Sequence, residues 1–239
     1  MTMQQEIRAA SDAEAAAAAE ADEGEADVRV ANGSVETAAT PTTEPDPLSV
    51  VDGGVADAPP PMPATVAVIG DSIALSAEPY VTGALEGLGI EVVAYDAAEN
   101  RRMVNGSGAV SSGRDAIRDV VAGGAEPELW LVALGTNDVG AFTGREAWQV
   151  AIDELMAEIP EGADVMWVDA WLSPLDEQAV EFNDALRDEL RWRDDVWVLD
   201  WHARAGNEGL IVADGVHLTE NGRIEYARLI GDGLRFVYD

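Results

Sequence analysis

The sequence predicts an α/β fold, a three-layer α/β/α sandwich with a mostly parallel five-stranded sheet. Two observations predict it. From residue 64 onward, short apolar runs alternate strictly with longer amphipathic stretches, which is the pattern of βαβ units around a parallel sheet. The length of 239 residues also allows one domain of ordinary size together with a tail.

In the first half of this domain, the sequence predicts three strands and two helices. A buried strand is expected over 65–69 (TVAVI), followed by a helix over 73–88. A second strand covers 91–95 (EVVAY), and a second helix covers 108–122. The run ELWLVAL at 128–134 is long and apolar enough for a third, central strand.

The second half continues the alternation with three helices and two strands. A helix is expected over 144–159, a strand over 164–171 and a helix over 177–192. The run VWVLD at 196–200 is the fifth strand. The last helix covers 219–236 and opens on a threonine that can serve as its N-cap.

Residues 1–63 differ from the rest of the chain in composition. They contain no Phe, Trp or Tyr, 13 acids against two Arg, and seven of the 11 Pro. Such a stretch buries too little apolar surface to offset its ordering entropy. We therefore expect a disordered acidic Ala/Pro-rich tail or linker, followed by one folded domain over 64–239. A solvated spacer is the favoured interpretation of the tail, and a partner-binding arm is the alternative.

Charge and residue counts exclude several classes of protein. The net charge is −32, and the chain has no Lys, no Cys and only two His. Without Cys there is no disulfide, thiolate zinc site, iron–sulfur cluster or cysteine nucleophile. The negative field disfavours nucleic acids and anionic membranes as partners. No apolar run reaches the length of a transmembrane helix, and no secretory signal is visible at the N-terminus.

Ligands of open parallel sheets bind at the carboxyl ends of the strands, so the residues that follow each strand are the candidates for chemistry. Ser72 follows the first strand and a glycine and opens a helix. Its hydroxyl is expected at the sheet edge, and its backbone N–H can hold an oxyanion. A plain N-cap is the alternative for this serine.

A serine nucleophile needs a base with a pKa near neutral, and histidine is the usual one. His217 has Asp214 three residues before it, close enough for the carboxylate to orient the imidazole. His202 also follows a strand but lacks such an acid, so we expect it to be a rim residue or a structural hydrogen-bonder. Asn137, in the G-T-N-D run after the third strand, can donate its amide to an oxyanion, or can simply form a turn.

The order of these motifs resembles the SGNH hydrolase superfamily, the GDSL esterases and lipases. The matching runs are G-D-S after the first strand, G-T-N-D in the middle and D-G-V-H before the last helix. The resemblance spans about 66–235 and implies a catalytic domain over 64–239. It implies that Ser72 is the nucleophile, that Asp214 and His217 complete a triad, and that Asn137 is an oxyanion donor.

The second oxyanion donor departs from the family pattern. The run D-A-A-E-N-R-R at 96–102 resembles the D-A-x-x-G-R pattern of the SGNH domains associated with bacterial envelope acyltransferases. Asn100 then stands where glycine is common, and asparagine tolerates a left-handed backbone. The oxyanion hole is thus expected to comprise Ser72, Asn137 and Asn100, with Gly106 and Gly108 as alternatives to Asn100.

The resemblance implies a serine esterase that hydrolyses O-acyl esters, of a short-chain acetyl type, through an acyl-enzyme. The first alternative is an O-acyltransferase acting on envelope carbohydrate with the same triad. The second is a non-catalytic flavodoxin-like binding module. No metal or organic cofactor is implied, and the oligomeric state is left open.

The substrate is expected to be a small-molecule or carbohydrate ester. Trp171 and Trp201 could stack on sugar rings, although tryptophan beside strands is more often part of the core. The compartment stays open between two alternatives. The missing signal segment favours the cytoplasm, whereas the lack of Cys and the Pro-rich acidic tail favour the cell envelope.

Overall fold

The computed structural model describes residues 59–142 and 144–239. The tail predicted over 1–63 lies, up to residue 58, outside the described residues. In the described ranges the five strands are β1 (Thr65–Gly70), β2 (Glu91–Ala97), β3 (Leu129–Ala133), β4 (Asp164–Val168) and β5 (Val196–Leu199). The helices are α1 (Ser72–Gly87), α2 (Gly113–Ala122), α3 (Thr136–Val139), α4 (Arg145–Met156), α5 (Asp176–Leu190), α6 (Trp201–Ala205) and α7 (Glu220–Tyr238), with a 3₁₀ turn at Ser173–Leu175.

The five strands form one sheet in the order β2-β1-β3-β4-β5, and every neighbouring pair is parallel. The chain passes from β1 to β2 on one side of β1. It then returns to the other side of β1, where β3, β4 and β5 follow in order. Because crossovers between parallel strands are right-handed, this reversal places helices on both faces of the sheet. Helices α1 and α7 pack together in one layer, and α4 packs between α2 and α5 in the other. The predicted α/β fold class is therefore confirmed.

The central strands explain why the sheet is buried on both faces. All five residues of β3 are buried, and so are the last four of β4. The largest of these side chains, Trp130 and Trp167, are fully buried. A parallel sheet with covered faces favours such continuous apolar runs. No helix in the described ranges is both long and apolar enough to cross a bilayer.

The boundaries of three predicted elements were wrong. The helix predicted over 144–159 ends at Met156, because the residue before Pro160 is disfavoured in the helical conformation. The helix predicted over 108–122 begins at Gly113, because Ser112 and Asp115 form a reciprocal capping box at its N-terminus. The strand predicted over 164–171 ends at Val168, because the apolar run continues beyond the sheet edge into a loop and a 3₁₀ turn. The N-cap predicted for the last helix is confirmed, since the Thr219 side chain accepts a hydrogen bond from the Gly222 N–H.

Candidate active site

The first part of the site is the sharp turn between β1 and α1. A methyl group on Gly70 would overlap the Cβ of Ala74, so glycine is needed where the strand turns into the helix. Asp71 caps α1 by accepting the Ile73 N–H at 2.9 Å. Ser72 is the first residue of α1 and is partly exposed at the carboxyl edge of the sheet.

The second part is a hairpin-like loop that precedes α7. A bridge between Ile211 and Leu218 and a hydrogen bond from the Val212 N–H to the His217 carbonyl close this loop. Asp214 lies at its tip with a side chain that is 1% exposed. One carboxylate oxygen of Asp214 accepts the N–H groups of Val216 at 2.8 Å and His217 at 2.9 Å. The loop therefore fixes the carboxylate through its own backbone.

The two parts meet in a chain of three side chains. The Asp214 Oδ2 atom lies 2.7 Å from His217 Nδ1, and His217 Nε2 lies 3.1 Å from Ser72 Oγ. When Nδ1–H donates to the carboxylate, Nε2 is left with a lone pair directed at the serine hydroxyl. This geometry can withdraw the hydroxyl proton of Ser72 and so activate it as a nucleophile.

His202, the other histidine, lies apart from this chain. Its backbone N–H donates to Asp169 at 2.8 Å, and its Nε2 atom lies 3.0 Å from a carboxylate oxygen of Asp176. Its ring lies 5.0 Å from the ring of Trp171. Trp201 is 2% exposed and packs edge-to-face against Tyr226, so it belongs to the core, as tryptophan beside strands more often does. Trp171 is partly exposed.

The side chain of Asn137 contacts the residues that adjoin the other two predicted oxyanion donors, Ser72 and Asn100. The Asn137 amide nitrogen is 3.2 Å from the carbonyl oxygen of Arg101 and 3.5 Å from a carboxylate oxygen of Asp71. Asn100, the residue before Arg101, has a left-handed backbone with φ of 60°, as its place in the motif predicted. Gly106 and Gly108 are exposed and lie in a separate turn, which Ser107 and Val110 close through their backbones.

Arg101 is a residue of the site that the sequence reasoning missed. Its guanidinium is almost fully buried and donates to the Asp96 carbonyl at 2.6 Å and to the Asp96 carboxylate at 2.7 Å. It also lies 3.5 Å from the Gly70 carbonyl oxygen, at the end of β1. These contacts join the Asn100–Arg101 segment to the strand that leads to Ser72. The sequence signal that could have identified it is its position in the run D-A-A-E-N-R-R, which resembles D-A-x-x-G-R.

Three buried carboxyl groups surround the strand ends. Burial raises the pKa of Asp71 to about 6, although the Ile73 N–H and the nearby His217 lower it. Burial also raises the pKa of Asp138 to about 7, although its hydrogen bond from the Met103 N–H lowers it. Burial raises the pKa of Asp169 to about 6, although the charge of Arg187 lowers it. Asp71 and Asp169 line one cavity of about 10 Å³ together with Thr136, Trp171 and Tyr226. That volume accommodates about one water molecule.

No group of three or more metal-ligating side chains that could hold an ion occurs among residues 59–142 and 144–239. The chemistry that the site can perform with its own groups is nucleophilic attack by Ser72, with proton transfer through His217. The assignment of Ser72, Asn137 and Asn100 as oxyanion donors stays a prediction.

Solved structures share this fold. No protein-family model matches the sequence, and no curated protein matches it. The catalytic domain of Streptococcus pneumoniae peptidoglycan O-acetyltransferase A is 20% identical, with a TM-score of 0.55, over 77% of this chain and 96% of that one. A Sinorhizobium meliloti carbohydrate acetylesterase family member is 18% identical, with a TM-score of 0.57, over 73% and 98% of the two chains. An M. smegmatis aryl esterase is 14% identical, with a TM-score of 0.56, over 72% and 99%.

These proteins differ in the activities that their names state, but each aligns over nearly its whole length with the described domain. At such low identity the likeness concerns the course of the backbone. The chain therefore has the fold of the SGNH, or GDSL, esterases and acylhydrolases.

Proposed function

We propose that the protein is a serine esterase that hydrolyses O-acyl esters through an acyl-enzyme. The single observation that carries the proposal is the continuous chain of contacts from Asp214 through His217 to Ser72, with distances of 2.7 and 3.1 Å. A nucleophile, a base and an orienting carboxylate within hydrogen-bond reach are the signature of covalent acyl transfer. The shared fold with known esterases supports the same conclusion.

The reaction would proceed in two halves. Ser72 Oγ attacks the ester carbonyl carbon while His217 Nε2 takes the hydroxyl proton, which gives a tetrahedral oxyanion. Collapse of this intermediate breaks the bond to the alcohol, which leaves with the proton from His217. Water then attacks the acyl-enzyme, losing its proton to His217, and the acid departs as Ser72 is regenerated. Asp214 keeps the imidazole in the required tautomer throughout.

Three groups would stabilise the oxyanion. These are the N–H of Ser72 at the N-terminus of α1, the side-chain amide of Asn137 and the N–H of Asn100. Ser72 is favoured by its place at a helix N-terminus, where N–H groups have no partner within the helix. Asn100 is supported by its left-handed backbone beside Arg101, the carbonyl of which contacts Asn137.

We propose acetyl-type esters of small molecules or carbohydrates as substrates. The likeness to a carbohydrate acetylesterase family member and to a peptidoglycan O-acetyltransferase domain supports a short acyl group carried on a sugar.

The test is release of p-nitrophenol from p-nitrophenyl acetate, combined with labelling by a fluorophosphonate probe. Ser72→Ala should abolish both signals, while Ser76→Ala, one turn later on the same helix, should retain them. His217→Ala should lose labelling, while His202→Ala, at the other histidine, should retain it. Equal ester turnover by the parent and Ser72→Ala would contradict the proposal.

Acyl transfer to carbohydrate is the second candidate, favoured by the likeness to the peptidoglycan O-acetyltransferase domain. It needs the same triad, with a sugar hydroxyl replacing water in the second half. Adding chito-oligosaccharide to the p-nitrophenyl acetate reaction would then yield acetylated sugar. Free acetate alone would support hydrolysis. A non-catalytic binding module would show neither turnover nor probe labelling.

A further inference from the structure

The carboxylate of Asp138 has no role in the triad, yet it is one of the most deeply buried charges of the described domain. Asp138 is 0% exposed and follows Asn137 directly in the short helix α3. Its backbone is fixed on both sides, because its N–H donates to the Gly135 carbonyl at 2.8 Å and its carbonyl accepts the Trp148 indole N–H at 3.3 Å. The position of this side chain is therefore set by the end of β3 and by α4.

Both carboxylate oxygens of Asp138 point at one backbone N–H. They lie 3.1 and 3.2 Å from the nitrogen of Met103. Burying the charged form of a carboxyl group costs free energy, which is why the pKa of Asp138 is raised to about 7. In either protonation state the side chain keeps an oxygen that can accept the Met103 N–H.

Met103, which Asp138 contacts, belongs to the Asn100–Met103 segment. This segment bears the proposed oxyanion donor Asn100. Two residues of this segment are also bound by α2, since the Gly113 N–H donates to the Arg102 carbonyl and the Arg114 N–H donates to the Met103 carbonyl, each at 2.8 Å. Asp138 holds the same segment through the Met103 N–H. The segment is therefore clamped between the N-terminus of α2 and the helix α3.

Two adjacent residues of α3 thus contact the segment at two positions that lie two residues apart. The Asn137 amide reaches the Arg101 carbonyl at 3.2 Å, and the Asp138 carboxylate reaches the Met103 N–H. Asn137 and Asn100 must face the same oxyanion if both donate to it. Their separation depends on how closely the segment approaches α3, and the Asp138 contact sets this approach.

We propose that Asp138 is a positioning residue for ester hydrolysis, which fixes the Asn100–Met103 segment against Asn137 through the Met103 N–H and so sets the width of the oxyanion hole. The proposal rests on the proposed function of Ser72. Asp71 and Arg102 are the charged groups that act on the Asp138 carboxyl electrostatically, and they do so with opposite sign. Neither takes the place of the Met103 contact.

The first experiment measures kcat for p-nitrophenyl acetate per active site, with sites counted by fluorophosphonate labelling. Asp138→Ala should lower the per-site kcat by about tenfold to hundredfold, the effect of a displacement near 1 Å at a reacting centre, and should leave KM unchanged. Asp138→Asn keeps one acceptor oxygen for the Met103 N–H and should recover part of the rate. Asp164→Asn makes the same exchange at the amino end of β4, away from the strand ends that carry the site, and should retain the parent rate.

The second experiment is independent of turnover. Hydrogen exchange of the Met103 amide, observed by NMR on protein labelled with ¹⁵N-methionine and assigned with Met103→Leu, should be faster in Asp138→Ala than in the parent. In Asp164→Asn it should be unchanged. Asp138→Asn serves for both experiments if the alanine variant does not fold.

The outcomes separate the two proposals. A parent without turnover or labelling would overturn the proposed function, and the Met103 exchange alone would then support or overturn the anchoring contact. Parent-like per-site kcat in both Asp138 variants would overturn the positioning role. A fall in the count of active sites at constant per-site kcat would also overturn it, because that is the behaviour of a merely structural residue.

Discussion

Replacing Gly222 with alanine should damage both the stability of the domain and the site, although the change adds a single methyl group. Gly222 lies in the first turn of α7, and its Cα is packed directly against the backbone of Leu210. An added Cβ would overlap the Leu210 carbonyl oxygen, which would have to retreat by about 1.5 Å to reach ordinary contact distance. Backbone, unlike a flexible side chain, yields to such a methyl group only by moving a segment.

The cost can be estimated from the contacts that this movement breaks. The Leu210 carbonyl accepts the Thr219 N–H at 3.0 Å and the Thr219 hydroxyl at 3.2 Å. Their loss costs about 1 kcal/mol each, and overpacking adds about 1–3 kcal/mol. The better helix propensity of alanine returns about 1 kcal/mol. The expected net loss is about 2–4 kcal/mol, or roughly 5–12 °C in Tm for a domain of this size.

The movement would also reach the triad, because Leu210 begins the loop that ends at Thr219. The loop is cross-connected between Ile211 and Leu218 and between Val212 and His217, so its two sides move together. A displacement near 1 Å at His217 should lower kcat by about a hundredfold. Ester turnover of the folded fraction measures this second effect, and thermal unfolding followed by circular dichroism measures the first.

Gly231, in the same helix, provides the matched control. An added methyl there would meet only the end of the Arg235 side chain, at 3.5 Å, which is an ordinary contact. Gly231→Ala should therefore raise stability by about 0.5–1 kcal/mol and retain the parent turnover. A Gly222→Ala variant as stable and as active as Gly231→Ala would refute the reasoning.

Three further predictions follow from the site and from the charge. Asp214→Asn should lower kcat by about 10³–10⁴-fold with little change in Tm, because an amide does not hold the imidazole in the required tautomer; parent-like turnover would contradict this. The free energy of unfolding in urea should fall as pH rises from about 4 to about 7. The pKa values of Asp71, Asp138 and Asp169 are raised to about 6, 7 and 6. The folded state therefore binds more protons than the unfolded state across that interval, and raising the pH destabilises it. Asp169→Asn should show a smaller fall, and equal falls would count against the buried carboxyl as a cause. Raising the NaCl concentration from about 0.05 to about 1 M should raise Tm, because salt screens the repulsion among the 33 acids and 12 Arg of residues 64–239; a lower Tm would contradict it.

Long apolar periodicity made the sheet and the longer helices predictable. The five strands lie where the apolar runs predicted them, with ends shifted by up to three residues. The helices α3 and α6 were not predicted, since a helix of four or five residues shows no periodicity. The start of α2 was placed too early because the Ser112 cap outweighs the amphipathic pattern before it.

The site was predictable where its chemistry depends on residue type. Serine, histidine and aspartate in a given order are visible in sequence, and the structure brings Ser72, Asp214 and His217 together. The contact of Asp138 with Met103 was not predictable, because its donor is a backbone N–H, which every residue except proline possesses. The partners are also 35 positions apart, beyond the range of any local pattern.

The contact between Ser72 and His217 also bears on how the protein becomes active during synthesis. The two residues are 145 positions apart, and α7, which follows the histidine, packs against α1, which begins with the serine. Domains generally fold as units. A nascent chain that ends before His217 lacks both the base and the helix α7 that completes the domain. The proposed activity would begin only when the last helix docks, so no partly made chain would hydrolyse esters prematurely.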